Sequence, residues 1–445
     1  MKTRRWIPLI FGLSVYLILE SLCYVGLLML SKTLRVTYDP VVSELSEKQK
    51  TSLENYLRRK RGEHVNHDPH LGWINTSEAN SAGMRDDREY DVTPSDGVIR
   101  IAAFGDSFTY GSDVALKDTW EKNLTAMDPS IEVLNYGMGA YGLDQAYLRF
   151  LKLGTTYNPN IVFIGYMSEN IARNVNVYRA FYGRGYRDVI FTKPRFTLSD
   201  GKLTLLENPL STFEDYENFL LNDSEVLARL GENDYHYQIN YKRGPFDILP
   251  SIRLGKVFWY AFNKKILNSI FGLDGMYNVE SDAYAITITI FDNFYQDVLA
   301  SGALPVILVF PDINDQRRSR DNKERRYTAL LNYFRSKGYY FIDTLSALTP
   351  YESQYSIDDL VVEWGHYSPL GNKIIAQYIL MKLKEWNLLD SSTLEGLIDA
   401  ARQRSEHLGH DDSYQLEYVK AMMCNWGNGY HKRVCDDRMF VSSYK

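Results

Sequence analysis

From residue 98 onward, short apolar runs alternate with amphipathic stretches. The runs fall at 98–104, 131–135, 160–166, 304–310 and 339–343. They are of strand length and apolar throughout, the pattern of strands buried on both faces. Between them, stretches near 116–127, 143–154, 282–301, 322–336 and 369–386 read as helices. In the last of these, Ile374, Ile375, Tyr378 and Ile379 recur at helical spacing. Such alternation predicts an α/β protein, a parallel five-stranded sheet with helices on both faces. The rhythm breaks once, over residues 175–280, where Tyr178, Phe181, Tyr182, Tyr186, Phe191 and Phe196 cluster. An insert of that length must carry structure of its own. It is expected as a cap near the carboxyl ends of the strands, where an open α/β sheet binds its ligands.

The N-terminal region follows a different pattern. Trp6 to Leu30 is apolar, broken mainly by Glu20, and is long enough for the roughly 20 residues that span a bilayer. Lys2, Arg4 and Arg5 precede it, and the exit Leu27-Leu28-Met29-Leu30-Ser31-Lys32 offers no small-residue cleavage site. The reading is an uncleaved signal anchor over 1–32, single-pass, with the basic tip cytoplasmic and the rest extracytoplasmic. Residues 33–94 are expected as a stalk and lead-in. Within it, Leu45, Leu53 and Leu57 mark a polar helix, Arg58–Arg61 a solvated face, and 67–93 a turn-rich approach to the first strand. The α/β domain is then 95–388, and 389–445 a C-terminal helical tail.

Composition narrows the function little. The 445 residues carry a net charge of −6, which argues against a nucleic-acid partner. The 34 tyrosines and 7 tryptophans suit either an aromatic-rich insert or a groove for carbohydrate or acyl groups. Cys424 and Cys435 could close a short loop in an oxidising compartment and would stay thiols in the cytoplasm. The three cysteines and eight histidines show no metal-ligand spacing, so neither a metal nor any other cofactor is expected.

Four motifs sit at the ends of successive elements. Gly105-Asp106-Ser107 leaves the first strand in a turn that exposes Ser107 at the edge of the sheet, with a helix behind it to aim N–H groups at the same spot. Asn135-Tyr136-Gly137-Met138-Gly139-Ala140-Tyr141-Gly142 follows the second, its small residues letting backbone N–H groups approach an oxyanion. Ser168-Glu169-Asn170 follows the third, where a side-chain amide can donate to the same oxyanion. Glu363-Trp364-Gly365-His366 precedes the final helix, where a histidine can act as general base and an acid three residues earlier can fix its tautomer. Taken singly each is an ordinary turn or cap; the order of the four is the signal.

In these four blocks the chain resembles the SGNH hydrolases, also called the GDSL esterase/lipase family, over residues 95–175 and 300–385. The lead-in around Trp73 and Arg85 resembles the membrane-anchored bacterial members. The resemblance implies a flavodoxin-like three-layer α/β/α sandwich. It also implies Ser107 as nucleophile, His366 as base and Glu363 as the orienting acid, with Asp358 and Asp359 as fallback acids. Oxyanion donors fall at Ser107 N–H, at Ala140, where the family has its glycine, or at Gly139 just before it, and at Asn170. The usual Gly-x-Asn-Asp of the third block reads Ser168-Glu169-Asn170-Ile171, without its glycine and aspartate. The expected activity is hydrolysis of an acyl ester, with an O-acylated cell-envelope polysaccharide as the substrate in view. An O-acyltransferase using the same acyl-enzyme, and a catalytically inactive binding protein of the same fold, are the alternatives.

Overall fold

The computed structural model describes residues 6–59, 67–75, 78–183, 189–363 and 365–406. Lys2, Arg4, Arg5, Tyr186, Trp364, Cys424 and Cys435, and the Arg61 end of the basic run, lie outside the described residues. The chain divides into two compact units, one of Met1–Arg61, Asn176–Ile190 and Thr212–Asp274, the other of Gly62–Val175, Phe191–Ser211 and Gly275–Lys445.

The second unit holds the sheet. Its strands are β1 (Ile99–Gly105), β2 (Ile131–Gly137), β3 (Ile161–Met167), β4 (Leu304–Phe310) and β5 (Phe341–Asp343). All pair in parallel, in the order β2-β1-β3-β4-β5, the flavodoxin-like order. Every residue of β1 to β4 is buried, which is why these strands read as unbroken apolar runs. Alternate side chains serve opposite helix layers. From β3, Phe163 stacks on Trp120 of helix 120–127, whereas Tyr166 meets Phe291 of helix 282–300 edge-on. From β1, Phe104 lies edge-on to Phe150 of helix 143–153. The expected α/β/α layering is present.

Helix bounds shift where a cap intervenes. The stretch predicted near 116–127 divides into a turn, Leu116–Asp118, and a helix, Trp120–Met127, because the Thr119 side chain caps the latter by accepting from Lys122 N–H. The helix predicted from 322 starts at Thr328 and ends at Gly338, whose left-handed φ of 66° closes it. The insert is shared between the units. A hairpin, Arg195–Ser199 with Lys202–Leu206, belongs to the sheet unit.

In the first unit the expected stalk is a packed element. Helix α1 is Ile7–Thr33, and α2, Glu47–Arg58, opens on a Ser46 capping box. Leu53 is fully buried, Tyr56 stacks on Phe213 and meets Tyr216 edge-on, and Gln49 Nε2 donates to Tyr178 Oη at 2.7 Å. A third helix of this unit, α3, is Pro250–Phe262.

Candidate active site

The site is built where the chain leaves the carboxyl ends of the strands. Asp106 caps the turn Ser107–Tyr110, its carboxylate accepting from Phe108 N–H at 2.9 Å. This turn lies so close to the strand ends that two positions must be glycine. A Cβ at Gly105 would run into the Thr109 side chain, and one at Gly137 into the backbone of Thr109 and Tyr110. Trp120 Nε1 donates to Phe108 O at 3.2 Å from the layer below.

Ser107 is 6% exposed, and its Oγ lies 2.8 Å from His366 Nε2. His366 Nδ1 lies 2.5 Å from a carboxylate oxygen of Asp113. A carboxylate only accepts, so Nδ1 carries the proton and Nε2 is left to accept from the serine hydroxyl. The ring packs edge-on against Phe108 at 5.2 Å.

This acid is not the expected one. Spacing and the family resemblance both point to Glu363, but the described residues on either side of it reverse the chain. Val361 and Tyr367 bridge, Val362 N–H donates to His366 O at 2.8 Å, and Gly365 takes a left-handed φ of 88°. Glu363 sits exposed on that reversal. Neither fallback acid takes its place, since Asp359 Oδ2 caps its own short helix by accepting from Ser356 N–H at 2.8 Å and Asp358 is exposed. Asp113 instead comes from the loop after the nucleophile turn. It adopts a left-handed φ of 67°, which aspartate tolerates better than most residues. Arg85 braces that loop, donating to Val114 O at 2.8 Å, to Tyr110 O at 2.7 Å and to Gly111 O, while its Nε pairs with Glu78 at 3.0 Å. The only sequence signal for Asp113 was an acid close behind Gly111; nothing local said that it would reach His366.

The other predicted residues lie on the turns that follow β2 and β3. Ala140 takes a left-handed φ of 64°, the conformation that favours glycine, where the resemblance put a glycine. The turn is held from outside: Trp73 Nε1 donates to Gly139 O at 2.9 Å, and Tyr141 Oη donates to Trp73 O at 2.7 Å. Asn170 is fully buried and its Nδ2 donates to Asp106 Oδ2 at 2.8 Å. Arg173 lies 3.8 Å from the same carboxylate. Burial pushes the Asp106 carboxyl up, and Arg173, Phe108 N–H and Asn170 pull it back. Ser168, standing where the third block usually has glycine, donates its hydroxyl to Asp315 and accepts from Arg326 Nη2 at 2.8 Å.

No family model and no curated protein matches the sequence. Solved structures similar to this chain include a lipase/acylhydrolase from Enterococcus faecalis, at 14% identity and a TM-score of 0.33, covering 64% of this chain and 95% of that one. A member of the lipolytic protein G-D-S-L family from Veillonella parvula aligns at 11% identity and a TM-score of 0.30, covering 63% and 96%. A catalytic mutant of an acetylxylan esterase from Geobacillus stearothermophilus aligns at 10% identity and 0.34, covering 64% and 93%.

Proposed function

We propose that the protein is a serine hydrolase of SGNH type that cleaves an acyl ester. The hydrogen-bonded chain Ser107–His366–Asp113 carries this reading. Three groups from two segments far apart in the chain align so that each proton transfer has a recipient, and a merely structural histidine needs neither an unblocked serine nor an acid on its other nitrogen. Ser107 Oγ attacks the ester carbonyl carbon while His366 Nε2 takes its proton. The tetrahedral oxyanion is held by the N–H of Ser107 and of the Gly139–Ala140 turn, with the second N–H of the Asn170 amide as a third donor. Collapse breaks the ester C–O bond, and His366 returns the proton to the leaving alcohol. Water, deprotonated by the same imidazole, then releases the acid and restores Ser107. No step calls for a metal or an organic cofactor. An acylated envelope glycan is the substrate class to try first, on the strength of the membrane anchor and the aromatic-rich insert.

The test is labelling of the full-length protein with a fluorophosphonate. Wild type is expected to label, and Ser107→Ala and His366→Ala are expected not to, with unchanged melting temperatures. Ester turnover that survives Ser107→Ala refutes the mechanism.

A further inference from the structure

Large apolar side chains are left exposed in two places. One is α1, the helix long and apolar enough to span a membrane, with its exit to Val36. The other runs from Phe246 to Leu273. Elsewhere among the described residues, Val92, Leu221, Val279 and Met381 stand exposed one at a time. Single exposed apolar residues are ordinary, but a contiguous apolar face marks an interaction surface.

That face is organised by α3. Ile252, Phe258, Trp259, Phe262 and, in the continuation Asn263–Leu267, Ile266 follow helical spacing on one side. Phe258 is 58% exposed and Trp259 55%. The flank of that face is polar and occupied. Lys256 Nζ pairs with Asp247 at 2.6 Å, Tyr38 also hydrogen-bonds Asp247, and the Arg253 guanidinium lies over the Tyr38 ring at 5.5 Å. Lys264 and Lys265 follow at the end of α3.

The same helix is fastened to α1. Ser251 gives both its N–H, at 2.9 Å, and its hydroxyl, at 2.6 Å, to the Glu20 carboxylate. A Cβ at Gly26 would stand 3.6 Å from Leu254. On α1, residues 7–19 are exposed throughout, while Glu20, Cys23, Gly26, Leu27, Leu30 and Ser31 form one partly covered stripe. Glu20, an awkward residue in an apolar run, thereby finds its hydrogen-bond donors on α3. Ile7–Leu19 provides about 20 Å at about 1.5 Å per residue. A hydrocarbon core of about 30 Å therefore reaches on over roughly Glu20–Gly26, the part of α1 to which α3 is attached.

We propose that α3 is a second membrane contact, an interfacial helix whose Ile252–Phe258–Phe262 face lies in the acyl chains beside the retained anchor. Its occupant is the lipid bilayer. The anchor fixes α3 at that depth, Trp259 and the lysines match the headgroup level, and the polar side faces the protein. The proposal rests on α1 being retained, and the pairing itself argues for retention: a cleaved leader would leave the Ser251 N–H and hydroxyl without their acceptor.

The experiment uses full-length protein in phosphatidylcholine–phosphatidylglycerol vesicles, with Cys23, Cys424 and Cys435 replaced by alanine. An environment-sensitive fluorophore is placed at Phe258→Cys, at Ile266→Cys, and at Arg229→Cys as an exposed reference in the same unit. The expected result is blue-shifted emission at 258 and 266, quenched several-fold more than at 229 by lipids brominated on their acyl chains. Position 266 supplies the reading should the 258 variant not fold. Water-like emission and no excess quenching at 258 and 266, in protein that stays with the vesicles through an alkaline wash, overturns the interfacial helix alone. Release by the wash overturns the anchor and the helix with it.

Discussion

Asp113→Asn is the sharpest perturbation of the site, because it tests the acid that the fold, and not the sequence spacing, sets beside His366. The carboxamide keeps the size of the side chain but can present an N–H to His366 Nδ1. The ring would then carry its proton on Nε2, which could no longer accept from Ser107. In serine proteases the equivalent change costs about 10⁴ in kcat, where the acid is enclosed. Here the Asp113 side chain is 37% exposed and that of His366 20%, so water can partly stand in for the acid. The expected loss is therefore about 10²–10³, or about 3–4 kcal/mol of barrier at about 1.4 kcal/mol per tenfold. Glu363→Gln, on the exposed reversal, should stay within about threefold of wild type, as surface changes away from a site do. The assay is the second-order rate of fluorophosphonate labelling, with p-nitrophenyl acetate hydrolysis and a thermal melt alongside. A large loss in Glu363→Gln with near-normal Asp113→Asn would refute the assignment, and equal losses would show that both acids hold the ring.

Two further outcomes follow from packing and titration. Gly137→Ala drives a Cβ into the backbone of the nucleophile turn and should cost about 1–3 kcal/mol of stability together with most of the labelling, whereas Gly139→Ala, with open space around it, should leave both nearly unchanged; denaturant melts of the two variants decide it. Burial holds the His70 ring down to about 4, against an ordinary 6.5, with Asp68 opposing the shift. Between those values the unfolded chain binds a proton that the folded one does not, so stability falls as pH drops through the window. With the residue only partly buried, the loss should be about 1–2 kcal/mol; His70→Gln should narrow the gap between melts at pH 7.5 and pH 4.5, and an unchanged gap would count against the reading.

The sequence by itself determined the sheet and pointed to most of the candidate site. Strands buried on both faces must be apolar throughout, so β1 to β4 could be read from their composition within two residues. Gly105, Ser107, the Gly137–Ala140 turn, Asn170 and His366 are each set by local chemistry at the end of a neighbouring element, and parallel strands carry those ends to one edge. Ala140 shows the limit of such reading: the sequence puts an alanine at the glycine position, and only the structure shows that it takes the left-handed backbone that glycine favours.

What tertiary structure alone decided depends on contacts between segments far apart in the chain. Asp113 and His366 are separated by 253 positions. The acid-x-x-His spacing that favoured Glu363 fails because the chain reverses between the two residues, and no periodicity encodes that reversal. Arg85 and Trp73 hold the site from the lead-in through bonds to backbone oxygens, which leave no mark on the residues they brace. Leu45 and Leu53 looked like one face of a stalk because the helices that cover them come from the insert at 212–274. The apolar side of α3, diluted along the sequence by Arg253, Lys256, Lys264 and Lys265, becomes a face only once the helix is wound. It gains a meaning only beside Glu20, where a carboxylate that interrupts an apolar run finds the serine that completes it.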